Sequence, residues 1–240
     1  MKVNLMKFVV VFLSAVLSFS ILHAEVNQTL AIKPISNVTG FSDYLDESNC
    51  KHPVERNYYS VCWEDSLGQP ISGWTKIDGN LIDQVNTKKR PSFFKDTEIK
   101  TMSPKQIAMP NHLGHTFAND SDNDWSYDSL KSTYNMLNIT AMNGQVNTGI
   151  WRRIENRGKE IAKFRGSVVA ITLVEYHQEK RFNIVYPMNY YRIYLYNEAS
   201  AGEYQDECYM VENKPYSKGG LRLVDVKIDC EQLKIEKGIK

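Results

Sequence analysis

Four cysteines constrain this chain more than any other feature, because all of them, Cys50, Cys62, Cys208 and Cys230, stand behind an apolar leader. The first residues, MKVNLMKFVVVFLSAVLSFSILHA, carry two lysines, an apolar run of about fifteen residues and then small residues ending at Ala24, the layout of a secretory signal peptide. A retained membrane anchor is the rival reading, and it calls for an apolar span nearer ~20 residues. Cleavage leaves an exported chain, in periplasm or medium, with no membrane contact. In such an oxidising compartment an even cysteine count reads as two disulfides. More than one connectivity satisfies them; pairing between sequence neighbours, Cys50 with Cys62 and Cys208 with Cys230, is the simplest. A zinc site would want a Cys-x-x-Cys pair or paired histidines, and neither spacing occurs.

Beyond the signal segment 1–24, residues 25–49 are polar and short of aromatics, and they read as a flexible N-terminal arm. The packed domain is expected over residues 50–235, with 236–240 a C-terminal tail. At 42% hydrophobic and 11% aromatic residues the chain has the composition of a globule with one core. The formal charge of +1 turns slightly negative once Lys2 and Lys7 are removed, which excludes the overall basic field of many nucleic-acid binders. Any phosphate binding must therefore be local.

Residues 58–63 and 72–77, on either side of Gly68-Gln69-Pro70, predict a β-hairpin. Residues 84–111 read as loop with short strand pieces, and 127–137 have helical spacing. The clearest helix covers residues 149–164 (GIWRRIENRGKEIAKF), with Ile150, Ile154, Ile161 and Phe164 near one stripe and Gly158 weakening its second half. The β-branched run 167–174 and the aromatic run 190–196 suit buried strands. Residues 221–228 alternate and predict a last strand, and the lysine-containing end from 234 reads as frayed. The expected architecture is α+β: a central, mostly antiparallel sheet flanked by helices.

The chemistry concentrates in residues 112–155. There the chain offers His112-Leu113-Gly114-His115, Asn138-Ile139-Thr140, Asn147, and Trp151-Arg152-Arg153-Ile154-Glu155. A neutral histidine can take a proton from water, oxygen ligands can hold a hard cation, and an arginine can offset charge growing on a phosphorane. Asn147 opens the expected helix and Glu155 follows a little over two turns later, so both can point to one broad side.

In these segments the chain resembles the DNA/RNA non-specific endonucleases, secreted and organellar nucleases with a ββα-metal (His-Me finger) site. The family's Asp-Arg-Gly-His motif corresponds to His112-Leu113-Gly114-His115, and its Asn-Ile-x-Pro-Gln stretch to Asn138-Ile139-Thr140-Ala141-Met142. Its Asn-x-Gly-x-Trp-x-x-Leu-Glu helix start is matched by Asn147-Thr148-Gly149-Ile150-Trp151-Arg152-Arg153-Ile154-Glu155. Arg90, ahead of Phe94-Lys95-Asp96, looks like the family's upstream arginine, and Tyr186-Pro187 with Tyr190-Tyr191-Arg192 resembles its Pro-x-x-Tyr-Tyr-Lys strand.

The resemblance implies His115 as general base, Asn147 as ligand of Mg²⁺ (with Mn²⁺ the alternative ion), Glu155 as an acid acting on metal-bound water, and Arg90 as transition-state clamp. Asn138 would support the histidine or a phosphate. It further implies a ββα-metal site within the α+β fold, with DNA and RNA backbone as substrate and 5′-phosphate products. Two positions depart from the pattern: His112 replaces the family acid and Leu113 its arginine. That loss motivates the alternative of a catalytically weakened nuclease fold that binds nucleic acid or a protein partner.

Simpler readings stand beside these. Asn147 alone is an N-cap, Glu155 alone a solvated helix residue, and Arg90, after Lys88 and Lys89, part of a basic surface loop. Asp120-x-Asp122-x-Asp124 opens like a calcium loop, but Trp125 and Lys131 stand where glycine and glutamate are required, so it reads as an acidic surface turn.

Overall fold

The computed structural model describes residues 50–84, 89–181, 183–197, 204–217 and 220–237. The signal segment and the arm lie outside the described residues. Strands β1 (Pro53–Glu55), β2 (Ser60–Glu64) and β3 (Gln69–Asp78) pair antiparallel at one edge, so the expected hairpin is present with an extra strand beside it. A separate two-stranded ribbon follows, β4 (Asn111–His115) with β5 (Ile139–Asn143), and between its strands lies α1 (Tyr127–Thr133). The expected 127–137 helix is thus broken. The Asn135 side chain accepts from Leu137 N–H at 3.0 Å and starts a separate 3₁₀ turn, Met136–Asn138.

After β5 a π-helical turn, Val146–Trp151, leads into α2 (Arg152–Arg165). Strands β6 (Ser167–Arg181), β7 (Ile184–Asn197) and β8 (Tyr204–Glu212), a helical turn α3 (Leu223–Val226), the short β9 (Lys227–Ile228) and α4 (Cys230–Lys237) complete the chain. The large sheet runs β1-β2-β3-β6-β7-β8-β9, every neighbouring pair antiparallel. This is the α+β architecture anticipated from the sequence.

Both faces of the large sheet are covered, and the period-two alternation of β7 shows how. Tyr190, Tyr194 and Tyr196 belong to the main core with Trp151, Ile154 and Ile161, while Tyr191, Ile193 and Leu195 join a second cluster closed by Leu233 of α4. Burying a side chain of this size stabilises by roughly 1.5–3 kcal/mol, so strands flanked by apolar residues on both sides read as continuous hydrophobic runs.

Helix α2 holds through Gly158 without a break, and the glycine explains its seat. A Cβ at Gly158 would lie 2.7 Å from the Tyr194 ring, so the missing side chain lets α2 settle onto β7. The Tyr194 hydroxyl then donates to the Ile154 carbonyl at 2.7 Å. The buried stripe becomes Ile154, Gly158, Ile161 and Ala162, and Phe164 is left 80% exposed, contrary to the sequence expectation.

The C-terminus also differs from expectation. Residues 223–226 form a helical turn rather than strand because Asp225 folds back on Arg222, accepting from its N–H and its guanidinium at 2.8 Å each. The end is not frayed from 234. Asp229 accepts from Gln232 N–H at 2.9 Å and starts α4, which continues through Lys237, beyond the expected domain end. Lys237 pairs with the Glu175 carboxylate and lies 4.4 Å above the Tyr191 ring. Disulfides Cys50–Cys62 and Cys208–Cys230 are formed as expected, the second tethering α4 to β8.

Candidate active site

β4, β5 and α2 form a ββα unit laid on the main core, and its joints are made by residues of the quoted motifs. The indole N–H of Trp151 donates to the His115 carbonyl at 3.0 Å, which ties the start of α2 to the end of β4. The chain leaving His115 is held from three further sides. Thr172 of β6 donates to the Thr116 carbonyl at 2.9 Å, and the Arg192 guanidinium of β7 donates to the Thr116 and Phe117 carbonyls at 2.9 and 3.3 Å. Asn138 makes the third connection. Its amide oxygen accepts from Phe117 N–H and Ala118 N–H at 3.1 and 2.8 Å, and its NH₂ donates to the Ala118 and Thr133 carbonyls at 2.7 and 2.8 Å.

Asn138 is 0% exposed with both ends of its amide spent on backbone. No free group remains there for a phosphate, and its contribution is to fix the loop behind His115. A buried amide so fully paired is costly to replace, because each orphaned backbone group loses about 1–3 kcal/mol.

The His115 ring stands between Phe93, at 5.6 Å, and Tyr134, edge-on at 4.9 Å. Its Nε2 is buried without a hydrogen-bond partner. Burial, aided by the Arg90 charge and opposed by Asp120, pushes its pKa down to about 4, so the ring is neutral at ordinary pH. Arg90 is mostly exposed and places Nη2 3.2 Å from Asp120 Oδ2. The same oxygen accepts from the Tyr134 hydroxyl at 3.2 Å.

Glu155 is half-buried in the first turn of α2. Burial, then the charges of Asp122 and Asp120, raise its pKa well above the usual carboxylate range, against the pull of Arg192 and Lys159. Asp122 is 7% exposed and is itself pushed up to about 6 by burial, with Lys159 and Arg192 opposing. The Lys159 ammonium lies 3.4 Å from Asp122 and donates to Ser121 Oγ at 2.5 Å. The acidic run is therefore no surface turn: Asp122 faces inward beside Glu155.

Asn147 lies inside the π-helical turn and makes no capping bond. Its structural role as an N-cap is taken instead by Asn143, whose side chain accepts from Gln145 N–H at 3.0 Å. The Asn147 amide nitrogen meets Nδ1 of His112 at 3.5 Å, and the ring is seated over Gly144, where a Cβ would come within 2.7 Å of it. With the NH₂ directed at the ring, the amide oxygen is left to meet a hard cation. Leu113 packs against the apolar cluster of Met102, Met136 and Ile139, so the family's arginine position has become a packing position.

Arg90 and His115 are thus gathered around Asp120, whose field also reaches Glu155, while Asn147 is placed by contact with His112. Asp120, Asp122, Tyr134 and Lys159 were not singled out as site residues in the sequence. The available signal was the Glu155–Lys159 pair, an i,i+4 spacing on the motif helix.

The sequence model for DNA/RNA non-specific endonucleases matches residues 38–239. The chain belongs to this family. Among solved structures, the chain is similar to one in the crystal structure of the EndoG/EndoGI complex, titled as the mechanism of EndoG inhibition. The TM-score is 0.67 at 16% identity, over 79% of this chain and 84% of that one. At that identity the likeness is one of fold, and it agrees with the ββα unit on an antiparallel sheet. Among curated proteins nothing matches. Membership of the endonuclease family makes nuclease chemistry the general class of activity.

Among the described residues no three histidine, cysteine, aspartate or glutamate side chains converge on a point that could hold a metal. One amide oxygen at Asn147, with Glu155 eight residues on in the first turn of α2, could offer a hard cation one direct ligand and leave it most of its own waters.

Proposed function

We propose that this chain is an exported endonuclease that hydrolyses DNA and RNA phosphodiesters with Mg²⁺, or Mn²⁺ in its place, leaving 5′-phosphates. The observation that carries the reading is His115: a ring kept neutral by burial, with an unpartnered nitrogen, set beside an exposed arginine at the end of the ββα ribbon.

In this mechanism His115 takes the proton of the attacking water, and the Phe93 and Tyr134 rings limit how far it can turn. Arg90 meets the phosphate and offsets charge as the phosphorane forms. Asn147 would hold the ion directly and Glu155 through water. When bound, the ion supplies positive charge for the departing 3′ oxygen. Burial and the Asp122 and Asp120 charges raise the Glu155 pKa, and a cation held nearby would oppose that shift and favour the carboxylate. Contacts to backbone rather than bases account for cutting without sequence preference.

Purified mature protein with disulfides intact, incubated with plasmid and Mg²⁺, should nick and then linearise it. Chelation or His115→Ala should stop the reaction. Absence of cutting by the wild type across pH and metal choice would overturn the enzyme reading. The second reading, a binding protein on a weakened site, is favoured by Leu113 and predicts oligonucleotide retention without cleavage.

A further inference from the structure

Asp120 joins groups that nothing else in the sequence links. One oxygen, Oδ2, accepts from the Tyr134 hydroxyl and lies against the Arg90 guanidinium, both at 3.2 Å. Tyr134 in turn stands edge-on to the His115 ring, 4.9 Å between centroids. The two sides of the pair are unequal: the Asp120 side chain is 13% exposed and that of Arg90 75%.

The carboxylate is the fixed partner because its backbone is fixed. Asp120 opens a 3₁₀ turn whose start is capped by Asn119, accepting from Ser121 N–H at 3.2 Å, and whose exit is tied by Asn123 Nδ2 to the Asn119 carbonyl at 2.8 Å. Two residues earlier, Ala118 is gripped at both N–H and C=O by Asn138. So exposed an ion pair does little for stability. What it can do is choose one orientation for a long, mobile cation. A guanidinium held by one nitrogen still presents other N–H groups to a phosphate.

We infer that Asp120 is a positioning residue, whose carboxylate holds Arg90 and Tyr134 in one arrangement around His115 so that the arginine meets the scissile phosphate beside the base. The inference rests on the nuclease reading above. Asp120 touches neither substrate nor reacting atoms; it acts through Arg90 and Tyr134. Asp120→Asn keeps the shape and removes the charge that orients the guanidinium, and Asp120→Glu keeps the charge on a longer arm.

A double-mutant cycle on plasmid cleavage tests this, using wild type, Asp120→Asn, Arg90→Ala and the double variant, each confirmed as folded by its thermal melt. Asp120→Asn should lower kcat/KM about tenfold or more, and the double variant should be no worse than Arg90→Ala within about twofold, since one effect runs through the other. Asp120→Glu should recover part of the loss, which a merely structural role would not predict. Losses that multiply in the double variant, or an Asp120→Asn rate equal to wild type, would overturn the proposal.

The same cycle run on the Kd of a phosphorothioate oligonucleotide, without added metal, separates the two levels of inference. A wild type that binds but does not cut loses the nuclease reading, and the binding cycle then decides for or against Asp120. A wild type that neither cuts nor binds overturns both.

Discussion

Helix α2 carries two clusters of charge on different sides, and they are built in opposite ways. Arg157 forks onto Glu207 through Nε at 3.1 Å and Nη2 at 2.6 Å, and the Tyr209 and Tyr196 hydroxyls donate to the same carboxylate at 2.5 and 3.3 Å. Burial alone would raise the Glu207 pKa, but the bonds from Arg157 and Tyr209 bring it down to about 2. Two residues away on either side, Glu155 and Lys159 face Asp122 and Arg192. There both carboxyls are pushed up, Asp122 Oδ1 meets the Lys159 ammonium only at 3.4 Å, and Arg192 Nε lacks a hydrogen-bond partner. One cluster has spent its charges on holding β8 to α2. The other retains unmet polarity next to His115, the condition in which protons and cations can be handled.

The contrast can be broken in a definite order. The largest effect should come at the base itself. His115→Ala is expected to lower cleavage on the order of 10²–10⁴-fold while lowering the melt only by the packing lost against Phe93 and Tyr134, about 1–2 kcal/mol. In the wild type the acid limb of kcat/KM should fall well below the ordinary histidine range, because His115 stays neutral down to about 4. A limb near 6.5 that persists in Glu155→Gln and Asp122→Asn would show that burial does not govern the ring.

Next comes Arg192→Met. Arg192 is 2% exposed, stacks 4.8 Å over Trp151, holds two carbonyls behind His115 and offsets two carboxyls. Its loss should cost about 3–5 kcal/mol in denaturant unfolding. A smaller effect is expected of Glu207→Gln, roughly 1–2 kcal/mol at pH 7 after allowance for the partly open Arg157. The Glu207 pKa is depressed on folding, so its stabilisation is present above about 4.5 and is lost as pH falls toward 2; the difference between variant and wild type should close over that window.

The smallest effect has the opposite sign. Asp122 has a folded pKa raised from 3.8 to about 6, so wild-type stability is fullest below 3.8 and declines as pH rises through 6. Asp122→Asn should therefore raise stability at pH 8, by about 1 kcal/mol once the lost Lys159 contact is allowed for, and confer no advantage at pH 4. Destabilisation at pH 8 would mean that the two clusters are built alike.

Local pattern carried much of the fold. The helix after Asn147 was legible because its spacing matches the helical period, the hairpin because a turn signal separates its two runs, and the strands at 167–174 and 190–196 because their β-branched and aromatic runs suit burial on both faces. The alternation at 221–228 misled, since Asp225 satisfies Arg222 three residues back and a helical turn serves Leu223 and Val226 equally well. The tail misled for a different reason: Leu233 and Lys237 are ordered by Ile193, Tyr191 and Glu175, partners that a local window does not contain.

The site divides in the same way. The order of His115, Asn138, Asn147 and Glu155 could be read from the sequence alone, because motif spacing is a property of the linear chain, whereas neighbour pairing of the cysteines was the simplest of several connectivities and the structure decided for it. Only the tertiary structure decided that Asn138 is consumed by backbone, that Asp122 is buried beside Glu155, and that Asp120 meets both Arg90 and Tyr134, the second of which stands against the His115 ring. The physical reason is that burial and pairing are set by groups distant in the chain, as when Arg192 bonds to a carbonyl 76 residues away.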